Sequence, residues 1–237
     1  MGRESPTREG PRDLSPTAYN AFVVLGGCNL IPWMTFLSLA DYFSTTYRTN
    51  AMEFAFPATS TTTLVITSGI VMAYGHLLPF SVRIPVPTFI VGVLMMAVPV
   101  LDLLMGAGLL SLDAAYRMTL VVVFFNTVGC ATAQNSMYAL GGVSGDNATQ
   151  ALQTGSGIIG VVAVGMRGLT KLGVPDKLSM WIFCSMGSLL LLLSLISYHV
   201  IMRDPQARPV PRPRPAPSAS LWPLVPLVPP AFGRKAA

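Results

Sequence analysis

Six apolar stretches, each close to the ~20 residues that carry a helix across a ~30 Å hydrocarbon core, constrain this chain more than any other feature. They lie at about 19–41, 58–80, 84–105, 117–139, 148–171 and 179–202. Connections as short as "SVRI" (81–84) and "GGVSGD" (141–146) separate them, so no soluble domain fits between. In lipid the backbone must satisfy its own polar groups, which leaves helices or closed barrels. The alternation of barrel strands is absent. The expected fold class is therefore an all-α integral membrane protein, with 19–202 forming a six-transmembrane-helix bundle in the lipid bilayer. A charged fraction of 11%, against roughly 25% in soluble domains, agrees.

The flanks differ from this body. Residues 1–18 are polar and rich in Pro and Gly, and are read as a disordered N-terminus. Residues 203–237 hold ten prolines, a spacing that forbids helix and favours an extended, disordered tail. Within it "PVPRPRP" also suits an SH3-type groove. Residues 1–202 carry nine Lys/Arg against nine Asp/Glu, so the formal charge of +5 belongs to the tail and gives no nucleic-acid-binding surface. With six spans both termini share a side, and that side carries ten Lys/Arg against five on the other. The positive-inside rule predicts both termini to be cytoplasmic.

Chemistry finds little foothold. Cys28, Cys130 and Cys184 lie far apart in apolar runs, which suits neither a disulfide framework nor zinc, and they are read as small buried residues. No metal site and no cofactor is expected. "GSGIIG" (155–160) fits the dinucleotide pattern by letter, but lies inside an apolar span with no preceding strand. Small residues that let membrane helices approach closely explain Gly155, Gly157 and Gly160 better. No nucleophile–base constellation is evident, so the chain is not expected to be an enzyme.

Two spans carry polarity in the wrong place for simple anchors. The first, "LGGCNLIPWMTFLSLADYF" (25–43), combines Gly26-Gly27, Asn29, a Pro32-Trp33 pair and Asp41. The fourth, "VVVFFNTVGCATAQNSMYAL" (121–140), puts Asn126, Cys130, Ala133, Gln134 and Met137 on one broad helical face, with Gly129 beside them. An unpaired amide in hydrocarbon costs several kcal/mol, so Asn126 and Gln134 must face the bundle or a watery cavity. Interhelical hydrogen bonds and a substrate site both satisfy that requirement.

"LGGCNLIPWMTFLSLADYF" resembles the first transmembrane helix of the equilibrative nucleoside transporters, whose signature is a Gly-rich turn followed by Leu-Pro-Trp and then Tyr-Phe. "PFSVRI" (79–84), "NTVGCATAQNS" (126–136) and "QTGSGIIG" (153–160) follow in the family's order. The resemblance covers about residues 19–202. It implies the N-terminal six-helix half of a major-facilitator-like transporter, which moves nucleosides or nucleobases by facilitated diffusion or proton-coupled uptake.

It also implies roles for particular residues. Trp33 would offer a flat face to a base, with Leu30 and Leu37 one turn to either side. Gln134 would hydrogen-bond the base, with Asn135 and Ala133 as alternatives because of a one-residue offset from Asn126. Gly129 and Gly155 match helix-contact glycines, and Arg83 matches a cytoplasmic-loop Arg. Met34 stands where family members often have Asn. Asp41 and Asp102 are the acids available for proton coupling.

The family's second bundle of five helices, with its ribose-binding Asp/Arg pair, has no counterpart here. The expectation is a transporter truncated to its first half, completed by a second half-transporter or by a homodimer, at the plasma membrane. The alternative is a non-transporting membrane fragment or accessory protein.

Overall fold

The computed structural model describes residues 14–47, 52–171 and 173–207. The Pro-rich segment "PVPRPRP" and most of both predicted disordered flanks lie outside them, while residues 16–18 of the first flank are already helical. Eight α-helices follow in order: α1 (Pro16–Ser38), α2 (Ala40–Tyr47), α3 (Met52–Tyr74), α4 (Phe80–Arg83), α5 (Pro85–Gly106), α6 (Leu112–Ser144), α7 (Asp146–Lys171) and α8 (Asp176–Arg203). A 3-10 turn, Gly75–Leu77, joins α3 to α4.

The helix ends follow local chemistry. Ser15 caps α1 by accepting from the Ala18 N–H at 3.1 Å, and Pro16 stands at the first helical position, where its missing donor costs nothing. Ser111 caps α6 in the same way through the Ala114 N–H at 3.3 Å. Asp176 and Arg203 sit at the N- and C-terminal turns of α8, complementing its dipole. Gly108, at φ 74°, turns the chain between α5 and α6 in a conformation that favours glycine.

Prolines within the apolar stretches do not end their helices. The second apolar stretch was expected to start just after Pro57, but α3 runs through it from Met52. α1 likewise continues past Pro32, and the break comes at Leu39, between α1 and α2. One lost N–H is tolerated when neighbouring helices hold the rest of the turn.

Among the described residues, five helical segments are long and apolar enough to cross a bilayer: Pro16–Tyr47, Phe54–Leu77, Phe80–Gly106, Leu112–Ser144 and Asp176–Arg203. The remaining long helix, α7, is amphipathic instead, with Gln150, Gln153 and Thr154 exposed along it. The protein is an all-α membrane bundle. Large apolar side chains such as Phe54, Met72, Val161 and Leu189 point outward, a surface suited to lipid and not to water.

α1 is the centre of the bundle. It packs most extensively on α7 and then on α8; α5 lies against α6 and α8, and α3 leans mainly on α6. Two apolar clusters result. One gathers Phe22, Leu25, Met137, Leu140, Leu152 and Ile201 at the end carrying the termini. The other gathers Phe36, Phe43, Tyr47, Val98, Met180 and Phe183 toward the opposite end.

Lipid gives helices no hydrophobic reason to associate, so close approach and hydrogen bonds must do it. At the α1–α7 crossing a side chain on Gly26 would run into the Leu152 backbone, and one on Gly155 would lie 2.8 Å from Gly27 N. Ser156 Oγ bridges the same crossing, donating to the Gly26 carbonyl at 3.1 Å. Gly129 lets α6 meet α5, where an added Cβ would fall 2.5 Å from Val91 Cγ2. Gly160 is less crowded: its Cβ would meet only Met34 Cε, at 3.9 Å. Gly187, not singled out from the sequence, lies where a Cβ would be 3.1 Å from Ile31 Cγ2.

Candidate functional site

α1, α3 and α6 do not close on one another completely. A cavity of about 250 Å³ remains between them, just below the ~300–1,000 Å³ typical of pockets for drug-sized ligands. α1 contributes Asn29, Leu30, Trp33 and Phe36, all in its C-terminal half. Spaced three residues apart, Leu30, Trp33 and Phe36 share one broad helical face.

α6 contributes Val123, Asn126, Thr127, Cys130 and Gln134. Trp33, Leu30, Asn126 and Gln134 thus meet around one space. Leu37 is not among the lining residues and stands 45% exposed.

Trp33 is 37% exposed and stacks on Phe56 of α3, ring centroids 6.1 Å apart and planes 27° from parallel. Phe56 in turn touches Phe36 at 5.4 Å. These aromatic pairs hold the α1–α3 wall in a defined shape.

The polar atoms are unequal in what they can offer. Ser60 Oγ donates to the Phe56 carbonyl at 2.9 Å, and Thr127 Oγ1 to the Val123 carbonyl at 2.8 Å, so both hydroxyl protons are spent on their own helices. Asn126 is 3% exposed; its Oδ1 accepts from the Cys130 thiol at 3.4 Å, and its Nδ2 has no partner among the described residues. An unsatisfied buried amide N–H₂ costs about 1–3 kcal/mol, so a donor left open at a cavity wall needs an explanation.

The three neighbouring residues 133–135 of α6 occupy different places. Asn135 Nδ2 donates to Ser68 Oγ of α3 at 2.9 Å and to the Ala131 carbonyl, tying the two helices. Ala133 is buried in the apolar cluster. Gln134 is the member of the three that lines the cavity.

The two acids singled out from the sequence lie away from this cavity, and both are paired. Asp41 Oδ2 is 3.1 Å from Arg167 Nη2 of α7, and Arg167 also reaches Ser179 of α8 at 3.3 Å. Asp102, buried near the end of α5, accepts from the Tyr42 hydroxyl at 2.5 Å and lies 3.5 Å from Lys177 Nζ. These contacts join α2, α5, α7 and α8 at the end opposite the termini. Arg83 is also buried, donating to the Gly75 carbonyl with its guanidinium over the Phe80 ring.

Reading the sequence missed the contribution of α3. Phe56, Ser60, Thr61 and Leu64 make up one wall. The available signal was "TSTTT" (59–63), a hydroxyl run inside an apolar span. Cys130 was also read as mere packing, whereas its thiol faces the cavity and bonds Asn126. Cys28 and Cys184 are buried, as expected. Among the described residues no cluster of His, Cys, Asp and Glu suits a metal.

No family model matches the chain. It is similar to equilibrative nucleotide transporter 1 of Arabidopsis thaliana, at 28% identity over 208 residues, covering 85% of this chain and 46% of that protein. It is also similar to equilibrative nucleoside transporter 4 of Homo sapiens, at 27% identity over 197 residues, covering 81% and 36% respectively. The chain spans less than half the length of these relatives. Its apolar helices, its inward-facing amides and these similarities make it a multi-pass membrane protein related to the equilibrative nucleoside and nucleotide transporters over most of its length.

Proposed function

We propose that this bundle is a nucleoside- or nucleobase-binding half of a transporter that works by alternating access. The observation that carries the reading is the cavity in which Trp33 and Phe56 stand beside the unpartnered Asn126 amide and Gln134. A nucleobase has a flat π-face and a polar edge, and this wall offers a complement to each. Stacking on an aromatic side chain is worth about 1–3 kcal/mol per base. Trp33 and Phe56 already touch at 6.1 Å, so the base lies beside the pair and not between its rings.

One side of the cavity is open: Trp33, Thr61 and Leu64 are exposed. In the relatives, matched over 46% and 36% of their length, further sequence is available to face such a wall. The open side suits a facing wall from a second half-transporter or a second copy of this chain. The excess of Lys and Arg near the termini supports a cytoplasmic location for both, and the plasma membrane is the proposed membrane.

If transport is proton-coupled, Asp102 is a better candidate than Asp41. Its carboxylate is buried, so protonation would loosen it from Tyr42 and Lys177, contacts that tie three helix ends together.

The test is uptake of labelled adenosine and uridine by this chain in cells lacking their own nucleoside carriers, with surface abundance and oligomer size measured on the same sample. Saturable uptake supports transport by an assembled bundle. No uptake from abundant surface protein overturns it in favour of an accessory role.

A further inference from the structure

The hydrogen bond between Cys130 and Asn126 decides which end of the amide the cavity sees. The two residues are one turn apart on α6, and both line the cavity. The thiol gives its proton to Oδ1 at 3.4 Å, which leaves the buried Nδ2 of this lining residue without a partner among the described residues. A primary amide carries two donors and one acceptor group, so an amide committed in this way presents donors.

The neighbouring hydroxyls of Ser60 and Thr127 have spent their protons and keep only lone pairs. Asn126 is therefore the fixed donor of this wall. Gln134, two turns further along α6, is not tied by a second side chain and can turn either way.

The geometry points to Asn126 as a reader of hydrogen-bond acceptors, and to Cys130 as the positioning residue that holds its amide in the donor-facing orientation. Resting on the nucleobase reading above, this names the ligand edge selected at Asn126: a ring nitrogen or carbonyl oxygen, not an exocyclic amino group. An amino group there would set donor against donor. A C–H in place of the acceptor would leave the buried N–H₂ as unsatisfied as it is in the empty cavity.

The experiment uses the full chain reconstituted in lipid nanodiscs and measures equilibrium binding. The probes are adenosine and its 1-deaza, 3-deaza and 7-deaza analogues, each replacing one ring nitrogen by C–H. For the wild-type chain, at least one analogue is expected to bind on the order of 10-fold more weakly than adenosine, the cost of one unpaired buried donor.

Cys130→Ala releases the amide to rotate, and the penalty for that analogue is expected to fall to about 3-fold or less. Cys130→Ser, whose hydroxyl donates in place of the thiol, keeps it. A purely structural role for Cys130 would weaken adenosine and the analogue equally and leave their ratio unchanged. An unchanged ratio in Cys130→Ala, or a wild type indifferent to all three analogues, overturns the inference while the nucleobase reading stands. Absence of saturable binding for every probe and for uridine overturns both.

Discussion

Two meetings of helices, a few turns apart on α1, follow opposite rules. Toward α7, Gly26, Gly27 and Gly155 strip away side chains until backbones touch. Toward α3 and α6, Trp33, Phe36 and Phe56 hold the backbones apart, and a cavity persists between amides and hydroxyls. In a bilayer, neither close contact nor separation is supplied by the solvent, so each must be written in side-chain size. The seam is where the bundle is held together; the wedge is where something else fits.

The largest effect should come from closing the seam to close approach. Gly155→Leu places a side chain against the Val23 carbonyl and Gly27 N, with no flexible neighbour to yield. The expected cost is at or above the top of the ~1–3 kcal/mol range for overpacking, read as lost thermal stability of the purified protein. Gly157→Ala, two residues along the same helix and facing open space, should leave stability within about 0.5 kcal/mol. Equal effects would mean that backbone contact is not what joins α1 to α7.

Next is the buried carboxylate that ties the far end of the bundle. Asp102→Ala removes the acceptor of the Tyr42 hydroxyl and the partner of Lys177. It should destabilise clearly more than Lys177→Ala, because the Lys177 side chain is mostly exposed and exposed ion pairs are worth about 0–1 kcal/mol. The two thermal unfolding midpoints check the order. For proton coupling, Asp102→Asn should flatten the pH dependence of uptake while leaving transport measurable.

The wedge should respond in binding, with little change in stability. Trp33→Ala is expected to weaken nucleoside binding by about 1–3 kcal/mol and Trp33→Phe by less, at equal surface expression. Identical losses in the two variants would remove the stacking account.

The smallest effect lies outside the membrane-spanning helices. The Ser15 hydroxyl donates to Asp204, just beyond α8, and with the Gln206 N–H holds that carboxyl below its ordinary value of 3.8. A lowered pKa in the folded state contributes stability at pH above the unfolded value, and the contribution is lost as pH falls through the folded one. Ser15→Ala should therefore cost more stability at neutral pH than in strong acid, where only the loss of its α1 cap remains. A pH series of unfolding midpoints for both proteins reads this directly.

Much of this was legible in advance because it depends on composition along one helix at a time. Runs of apolar residues of sufficient length predict spans, since the hydrocarbon core imposes that length on any helix crossing it. Asn126 and Gln134 had to face inward, since lipid cannot satisfy an amide. The stretch 148–171 was counted among the spans from its apolar run, but as α7 it is not among the five helices apolar enough to cross, since Gln150, Gln153 and Thr154 dilute it.

What the amino-acid order determined by itself was the class of the molecule and which polar groups turn away from lipid. It could not say which helix would face which, because periodicity describes a face and not the neighbour that covers it. Only the tertiary structure set Phe56 against Trp33, gave Asn135 to Ser68, left Gln134 at the cavity and aimed the Cys130 thiol at Asn126. Those pairings join residues of different helices or fix a side-chain rotation. Both are decided by packing in three dimensions, where a few tenths of an ångström separate a contact from a cavity.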